Sequence, residues 1–347
     1  MISRLFHAWE HRLASTTTDR RVRPFEWGVD WLLLNSTQAL PAAASSVETD
    51  RERVARYVDS VMRDTRAFFT PPPTSEYAFD GHVLRFPSAL VTPHEENNTV
   101  TARWFPAPSD SRRGGPRRAV LILPQWNSDA GGHVGLARLL SRFGLSSLRI
   151  SLPYHDVRMP RELTRADYIV SANVVRTLQV CRQAVLDARR AIAWLAMQGF
   201  DQIGILGTSL GSCLAMLTAA HEPLVRAQAL NHVSPWFADV VWRGLSTRHV
   251  REGLNGHIDL EGLRELWRPI SPWSFLDQVR DTQTLLVYAR YDLTFPVDLS
   301  RTLIEEFRRR GLPHQVAVLP CGHYSTGNVP FKFLDGYVLT RFLRRNL

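Results

Sequence analysis

Residues 203–211, with the sequence IGILGTSLG, join an apolar run to a serine that lies between two glycines. The run 203–206 is typical of a buried strand, and apolar residues follow the serine at helical spacing. Gly207 and Gly211 leave little bulk around Ser209, as a sharp turn from strand to helix requires. The stretch therefore predicts a strand, a tight turn that carries Ser209, and a helix. A serine that merely caps a helix after a glycine turn is the alternative.

Apolar runs alternate with helical patterns from residue 119 to the end of the chain. The longest helical pattern spaces its apolar residues three and four apart between Val174 and Leu195, and Gly199 follows it. The predicted strands are 119–123, 148–150, 203–206, 227–230, 285–288 and 316–319. Continuous apolar strands that alternate with helices indicate an α/β fold, with a mostly parallel central sheet and helices on both faces. Functional groups are then expected at the carboxyl ends of the strands.

Two segments differ from this alternation. Residues 1–75 are predicted to form a helical N-terminal extension, because the proline run 71–73 breaks the pattern there. Residues 76–347 form the predicted main domain. Within it, segment 234–275 is helical, apolar and rich in Trp, and it separates two strands. We interpret this insert as a lid over the site.

Composition and charge restrict the class of protein. A chain of 347 residues with 44% hydrophobic content can bury a sizeable core. The net charge of +9 comes mainly from Arg scattered among acidic residues, with Lys332 as the only lysine, so a nucleic-acid partner is not expected. The apolar run 31–34 is too short to span a membrane, which makes a cytoplasmic protein the expectation. Cys181, Cys213 and Cys321 have no paired spacing, so neither disulfides nor a zinc site is expected.

A serine hydroxyl needs a base that accepts its proton, and the base needs an acid that orients it. His323 follows the strand 316–319 and is the predicted base. Asp292 follows the strand 285–288 and is the predicted acid. Asp298 is the nearest competitor, but it falls inside the next predicted helix, where a negative charge favours the helix start.

The order Ser209, Asp292, His323 and the Gly-x-Ser-x-Gly turn resemble the α/β-hydrolase superfamily over about residues 80–347. The resemblance implies that fold, hydrolytic chemistry and an oxyanion hole in which the backbone N–H of Leu210 donates. The second donor should follow Leu123, where Pro124 has no N–H to give. Trp126 is the predicted second donor, with Gln125 as the alternative.

The apolar insert predicts a hydrophobic substrate, with Trp236 and Trp242 among its binding residues. Tyr154 and Tyr324 are also placed near the mouth of the site, although both could be ordinary loop residues. We expect a serine esterase that cleaves an ester of a hydrophobic acyl or aryl group through an acyl-enzyme on Ser209. A peptidase, an acyltransferase or a non-catalytic binding protein on the same fold are the alternatives. No HxH or HExxH spacing occurs, so no metal and no other cofactor is expected.

The first residues form a possible amphipathic helix, whose stripe consists of Ile2, Leu5, Phe6, Trp9 and Leu13. Arginines between positions 12 and 23 add positive charge nearby. Residues 1–23 could therefore contact a membrane surface, or the helix could pack against the main domain. Packing is the favoured expectation, because docking removes the apolar side chains from water permanently.

Overall fold

The structure is a computed structural model, and it describes residues 2–34, 48–108 and 115–347. Its centre is a sheet of nine strands in the order β1-β2-β3-β5-β4-β6-β7-β8-β9. Pairing is antiparallel from β1 to β5 and parallel from β5 through β4 to β9. The strands are β1 (Ala78–Phe79), β2 (Val83–Pro87), β3 (Thr99–Phe105), β4 (Arg118–Leu123), β5 (Ser146–Ile150), β6 (Gln202–Thr208), β7 (Val225–Asn231), β8 (Gln283–Ala289) and β9 (His314–Leu319). The predicted mostly parallel α/β architecture is confirmed.

Helices cover both faces of this sheet. They are α1 (Ile2–Ser15), α2 (Asp50–Arg63), α3 (Thr65–Phe68), α4 (Val134–Arg142), α5 (Val174–Met197), α6 (Leu210–His221), α7 (Phe237–Arg243), α8 (Arg248–Leu254), α9 (Leu260–Leu266), α10 (Val297–Arg309) and α11 (Phe331–Asn346). The Oδ1 atom of Asn173 accepts the N–H of Arg176 at 2.9 Å and caps the start of α5. Gly199, with φ of 82°, follows the end of the same helix, as the sequence predicts.

The sheet separates two hydrophobic cores. The larger packs α5, α6 and the helices of the predicted lid segment against one face, and the smaller packs α4 and α11 against the other. Trp31, Leu32, Val54 and Phe69, all from the predicted extension, are buried in the larger core. The described part of residues 1–75 therefore shares its core with the main domain.

No helix in the described ranges is both long enough and apolar enough to cross a bilayer. Cys181, Cys213 and Cys321 are buried and unpaired with one another. Burial raises the pKa of the Cys321 thiol to about 12, so this thiol stays protonated at neutral pH.

Candidate active site

Ser209 lies at the turn between β6 and α6, in a backbone conformation with φ of 56° and ψ of −120°. A Cβ on Gly207 would come within 2.0 Å of the carbonyl oxygen of Gly211, and one on Gly211 within 2.2 Å of that of Leu123. The N–H of Ser209 donates to the carbonyl oxygen of Asn231 at 2.8 Å. The turn therefore admits only glycine at these two positions, which confirms the predicted strand, turn and helix.

The structure brings the three residues of the predicted triad together. The Ser209 Oγ lies 3.1 Å from His323 Nε2, and His323 Nδ1 lies 3.0 Å from Asp292 Oδ2. Asp292 and His323 follow β8 and β9, so the parallel sheet delivers all three side chains to one edge. These distances are suited to proton transfer from the hydroxyl to the imidazole.

Asp298, the competing acid, lies elsewhere. Its carboxylate forms an ion pair with Arg243 at 2.8 Å in the first turn of α10. Asp298 therefore places a negative charge at the start of α10, which is the role that the sequence predicts for it.

A second histidine, His232, shares the carboxylate of Asp292. Its Nδ1 lies 2.8 Å from Asp292 Oδ2, and its ring centroid lies 4.3 Å from that of His323. Asp292 Oδ1 accepts the N–H groups of Thr294 and Phe295 at 2.8 and 2.7 Å. The buried carboxylate thus receives four hydrogen bonds. We call Ser209, His323, Asp292 and His232 the triad cluster.

These bonds determine the charge states of the cluster. Burial opposes ionisation of Asp292, but His323 and His232 outweigh it and hold the pKa of the carboxyl well below its usual range. Burial would also lower the pKa of His323, yet the carboxylates of Asp292 and Glu10 raise it above its ordinary value. Burial and the neighbouring His323 lower the pKa of His232. A neutral His232 that donates from Nδ1 fits this pattern.

The same residues could offer ligands to a cation, because ligand atoms of His232, Asp292 and His323 lie within 4.8 Å of one another. In the observed geometry, however, both Nδ1 atoms face the same Asp292 Oδ2 at hydrogen-bond distance. A cation would have to displace both N–H protons from this oxygen. The arrangement therefore suits a hydrogen-bonded triad better than a metal centre.

The loop after β4 carries the predicted oxyanion donors. The N–H groups of Leu210, Trp126 and Gln125 have no acceptor among the residues that the structure describes. All three residues line the cavity beside Ser209. The choice between Trp126 and Gln125 as second donor stays a prediction.

His155 supports this loop from below. Its Nε2 accepts the N–H of Asn127 at 3.0 Å, while its Nδ1 lies 2.8 Å from the carbonyl oxygen of Pro153. The indole Nε1 of Trp126 donates to the carbonyl oxygen of Ala166 at 2.9 Å. The loop is therefore held at Trp126 and at Asn127, the residue that follows it.

A cavity of about 830 Å³ opens over Ser209 and His323. Its volume falls in the usual range for a small-molecule site. Many apolar side chains of the lining come from the lid segment and from α4 and α11: Trp236, Phe237, Val240, Val241 and Pro272, and Leu136, Leu139 and Phe333. The lid segment thus contributes to the walls, and its movement as a lid stays a prediction.

The predicted substrate-binding residues divide into two groups. Trp236 and Tyr324 line the cavity. Trp242 does not, and its ring instead lies 5.2 Å from the Arg251 guanidinium. The placement of Tyr154 at the mouth is wrong: it is fully buried, and its hydroxyl lies 3.0 Å from His94 Nδ1. Its ring packs against those of His94 and Tyr168, with centroids 5.4 and 5.1 Å away, and does not line the cavity.

A second set of polar side chains lines the same cavity, at the ends of β6 and β7 and on the side of α4 and α11, and we call it the rear cluster. Thr208 Oγ1 lies 2.9 Å from His133 Nε2, and the Asn231 amide donates to Asp335 Oδ2 at 2.9 Å. His133 Nδ1, Asn231 Oδ1 and Asp335 Oδ1 are buried and have no hydrogen-bond partner within the described ranges. Burial raises the pKa of Asp335 to about 7 and lowers that of His133 to about 4.

No family model and no curated protein sequence matches the chain. Solved structures do resemble it. Acylaminoacyl peptidase of Pyrococcus horikoshii, uncomplexed, superimposes with a TM-score of 0.60 and 15% identity over 77% of this chain and 41% of that chain. A puromycin-hydrolyzing peptidase of Mycobacterium tuberculosis gives 0.57 and 16%, over 72% of this chain and 37% of that one. A lipase in its open form gives 0.54 and 12%, over 75% and 97%.

The chain spans about two fifths of the length of the two peptidases and nearly all of the lipase. Sequence identity is low in each case, so the similarity concerns the fold. The nine-stranded sheet, with its serine turn after β6, agrees with it. The chain therefore has the α/β-hydrolase fold.

Proposed function

We propose that the protein is a serine hydrolase that cleaves esters of hydrophobic acyl or aryl groups. The supporting observation is the chain of contacts from Ser209 Oγ through His323 to Asp292, at 3.1 and 3.0 Å, beneath a largely apolar cavity. A buried carboxylate that is held ionised orients the imidazole and stabilises its protonated form. Each of these features is what acyl transfer to a serine requires.

In the proposed reaction, Ser209 Oγ forms a bond to the substrate carbonyl carbon while its proton passes to His323 Nε2. The carbonyl electron pair moves onto oxygen, where the N–H of Leu210 and a second N–H from the loop after β4 stabilise it. When the intermediate collapses, the alcohol leaves with the proton from His323. Water then attacks the acyl-enzyme, gives a proton to His323, and releases the acid as Ser209 recovers its own.

The substrate class follows from the lining of the cavity. Trp236, Phe237 and Val241 present apolar surface to the space above Ser209. Burying an acyl or aryl group there gains roughly 25 cal/mol for each Å² removed from water. A small charged substrate would gain none of this energy.

A peptidase is the second candidate, because two of the structures with this fold are peptidases by name. The same serine chemistry cleaves amides when the leaving amine is protonated. Paired ester and amide substrates with the same acyl group distinguish the two functions.

A fluorophosphonate probe tests the nucleophile directly. We expect the wild-type protein to be labelled at Ser209 and to hydrolyse p-nitrophenyl esters, and Ser209→Ala to do neither. Ser209→Ala and His323→Ala should each remove most of the activity, and the double variant should lose little more, because the residues act as a unit. An unlabelled wild-type protein, or losses that add in full, would contradict the proposal.

A further inference from the structure

Helix α1 places a carboxylate directly beneath the loop that carries His323. Glu10 is fully buried. Its Oε2 accepts the N–H of Tyr324 at 2.8 Å, and its Oε1 accepts the N–H of Ser325 at 2.9 Å. These are the two peptide groups that follow His323 in the chain. Both oxygens of one carboxylate therefore hold the backbone of the proposed base.

The loop is shaped to admit this carboxylate. A Cβ on Gly322 would lie 2.3 Å from the Cδ atom of Glu10, so any larger residue before His323 would displace this carboxylate. The N–H of Gly322 donates to the Ser325 hydroxyl at 2.8 Å, which closes the turn on itself. Glu10 thus fills a space that the loop leaves open for it.

Further contacts hold α1 and the segment after it in place. The Phe6 ring stacks on Tyr291 with centroids 4.5 Å apart. Arg20 donates to the Tyr324 hydroxyl at 2.8 Å, and Asp19 pairs with Arg165 at 3.0 Å. This placement agrees with the favoured expectation that the helix packs against the main domain. Ile2 and Leu5 of the predicted stripe, however, are 62% and 66% exposed. Contact of those two side chains with a membrane surface stays a prediction.

We propose that Glu10 is a positioning residue of the active site, which fixes the backbone of the His323 loop so that the imidazole meets Ser209. The inference rests on the proposed hydrolytic function. The proposal makes the N-terminal helix part of the active site, because α1 supplies the carboxylate that binds the His323 loop. A carboxylate suits the position since it accepts two N–H groups at once, whereas an amide accepts through one oxygen only.

The charge of Glu10 gives the proposal a second readout. The charged and titratable groups near the His323 ring are Asp292 and His232 at its Nδ1 edge, Glu10 beneath its backbone, and Tyr324 with Arg20 beside it. Among these groups, Asp292 and Glu10 raise the pKa of His323. Because the base must be neutral to act, kcat/KM is lost as the pH falls through that raised value. Removing the charge of Glu10 should move this acid limb to lower pH.

Two variants separate the effect of the Glu10 charge from the effect of its side-chain length. Glu10→Gln keeps the size but loses the charge and one acceptor, and Glu10→Asp keeps the charge but is one methylene too short to reach both N–H groups. His11→Gln changes an exposed neighbour on the same helix and is the matched control. The measurements are the rate of fluorophosphonate inactivation and kcat/KM for a p-nitrophenyl ester against pH, with thermal unfolding of each variant.

We expect both Glu10 variants to lose roughly 10-fold or more in the pH-independent rate, as the loss of a hydrogen bond to a charged group implies. Glu10→Gln should also shift the acid limb to lower pH, whereas Glu10→Asp should leave it near its wild-type position. His11→Gln should match the wild type. If Glu10→Gln does not fold, the folded Glu10→Asp variant still tests the proposal. It should lose rate while its acid limb stays at the wild-type pH.

Folded Glu10 variants with wild-type rates and profiles would overturn the inference while leaving Ser209 as the proposed nucleophile. A loss that follows only the unfolded fraction of each variant would also overturn it, since it would show a purely structural role. A wild-type protein that reacts with neither probe nor ester would instead refute the proposed function.

Discussion

Two aspartates lie close to the serine turn, and their environments shift the pKa of their carboxyls in opposite directions. Asp292 in the triad cluster receives four hydrogen bonds, and Asp335 in the rear cluster receives one, from Asn231. The pKa of Asp292 is lowered well below its usual range, whereas that of Asp335 is raised to about 7. Burial penalises ionisation of both carboxyls.

The difference comes from the partners of the two carboxyls: His323 and His232 outweigh burial at Asp292, whereas the single hydrogen bond from Asn231 does not outweigh it at Asp335. Asp292 Oδ1 accepts two backbone N–H groups, while Asp335 Oδ1 is closed off from solvent with no partner among the described residues. Thr208 and Asn231 are register partners on β6 and β7, and Ser209 and His232 follow them directly, so the two clusters meet at the same pair of strand ends. Three predictions test this contrast, and a fourth tests the apolar wall of the cavity.

Asp292→Asn should give the largest effect, a loss of roughly 10⁴-fold in kcat, because an amide favours the wrong imidazole tautomer. The same change in the rear cluster, Asp335→Asn, should alter kcat by no more than about 3-fold, since it leaves the charge on His323 unchanged. Steady-state kinetics on both variants measures this. Comparable losses would show that the rear cluster takes part in the chemistry.

His232→Leu should lower kcat roughly 10- to 100-fold, because it removes one donor to an ionised carboxylate, a bond worth about 1.5–3 kcal/mol. His232→Asn should recover part of the rate, since the Asn Nδ2 can take the place of the imidazole Nδ1. Single-turnover acylation with an activated ester follows the relevant step. Equal activity of the Leu variant and the wild type would mean that three donors suffice for Asp292.

Asp335→Asn should change stability in a pH-dependent way. Between about pH 4 and pH 7 the folded protein keeps a proton on Asp335 that the unfolded chain has released, so wild-type stability falls as the pH rises through this window. An asparagine carries no such proton. The variant should therefore gain stability relative to wild type from pH 4 to pH 8, by at most about 4 kcal/mol. Urea unfolding at both pH values measures the gain, and a constant difference would contradict the raised pKa.

Trp236→Ala and Trp242→Ala form a matched pair with the smallest expected effects. Trp236 lines the cavity and Trp242 does not. Loss of the Trp236 indole should lower kcat/KM for an octanoyl ester several-fold more than for an acetyl ester, because the longer acyl chain loses more apolar contact. Trp242→Ala should change kcat/KM for the two esters by the same factor. A chain-length effect in the Trp242 variant would place the acyl group elsewhere than the wall formed by Trp236.

The fold and the triad arrangement are predictable from sequence because each depends on local order along the chain. Ser209, Asp292 and His323 each follow an apolar strand, and parallel strands end at one edge. The same signal could have found His232, which comes directly after Asn231 at the end of β7.

Other features depend on packing between distant segments. Tyr154 also follows a strand, but its ring packs against His94 and Tyr168 and does not line the cavity, and its own segment gives no sign of these contacts. Glu10 lies more than 300 residues before the peptide groups that it binds, and its position in a stripe of apolar residues gave no local signal. Phe6, Trp9 and Leu13 of the predicted stripe are half-buried, but Ile2 and Leu5 are exposed, and the stripe omits Glu10, which is fully buried.

Lys332 carries the only side-chain amine of the sequence, and the fold places it in the first turn of α11, exposed at the rim of the cavity. Amine-directed chemistry on side chains is therefore confined to one position. A succinimidyl-ester dye attached there would lie beside Phe333, which lines the same cavity. Its fluorescence would report occupancy of the cavity without an engineered cysteine.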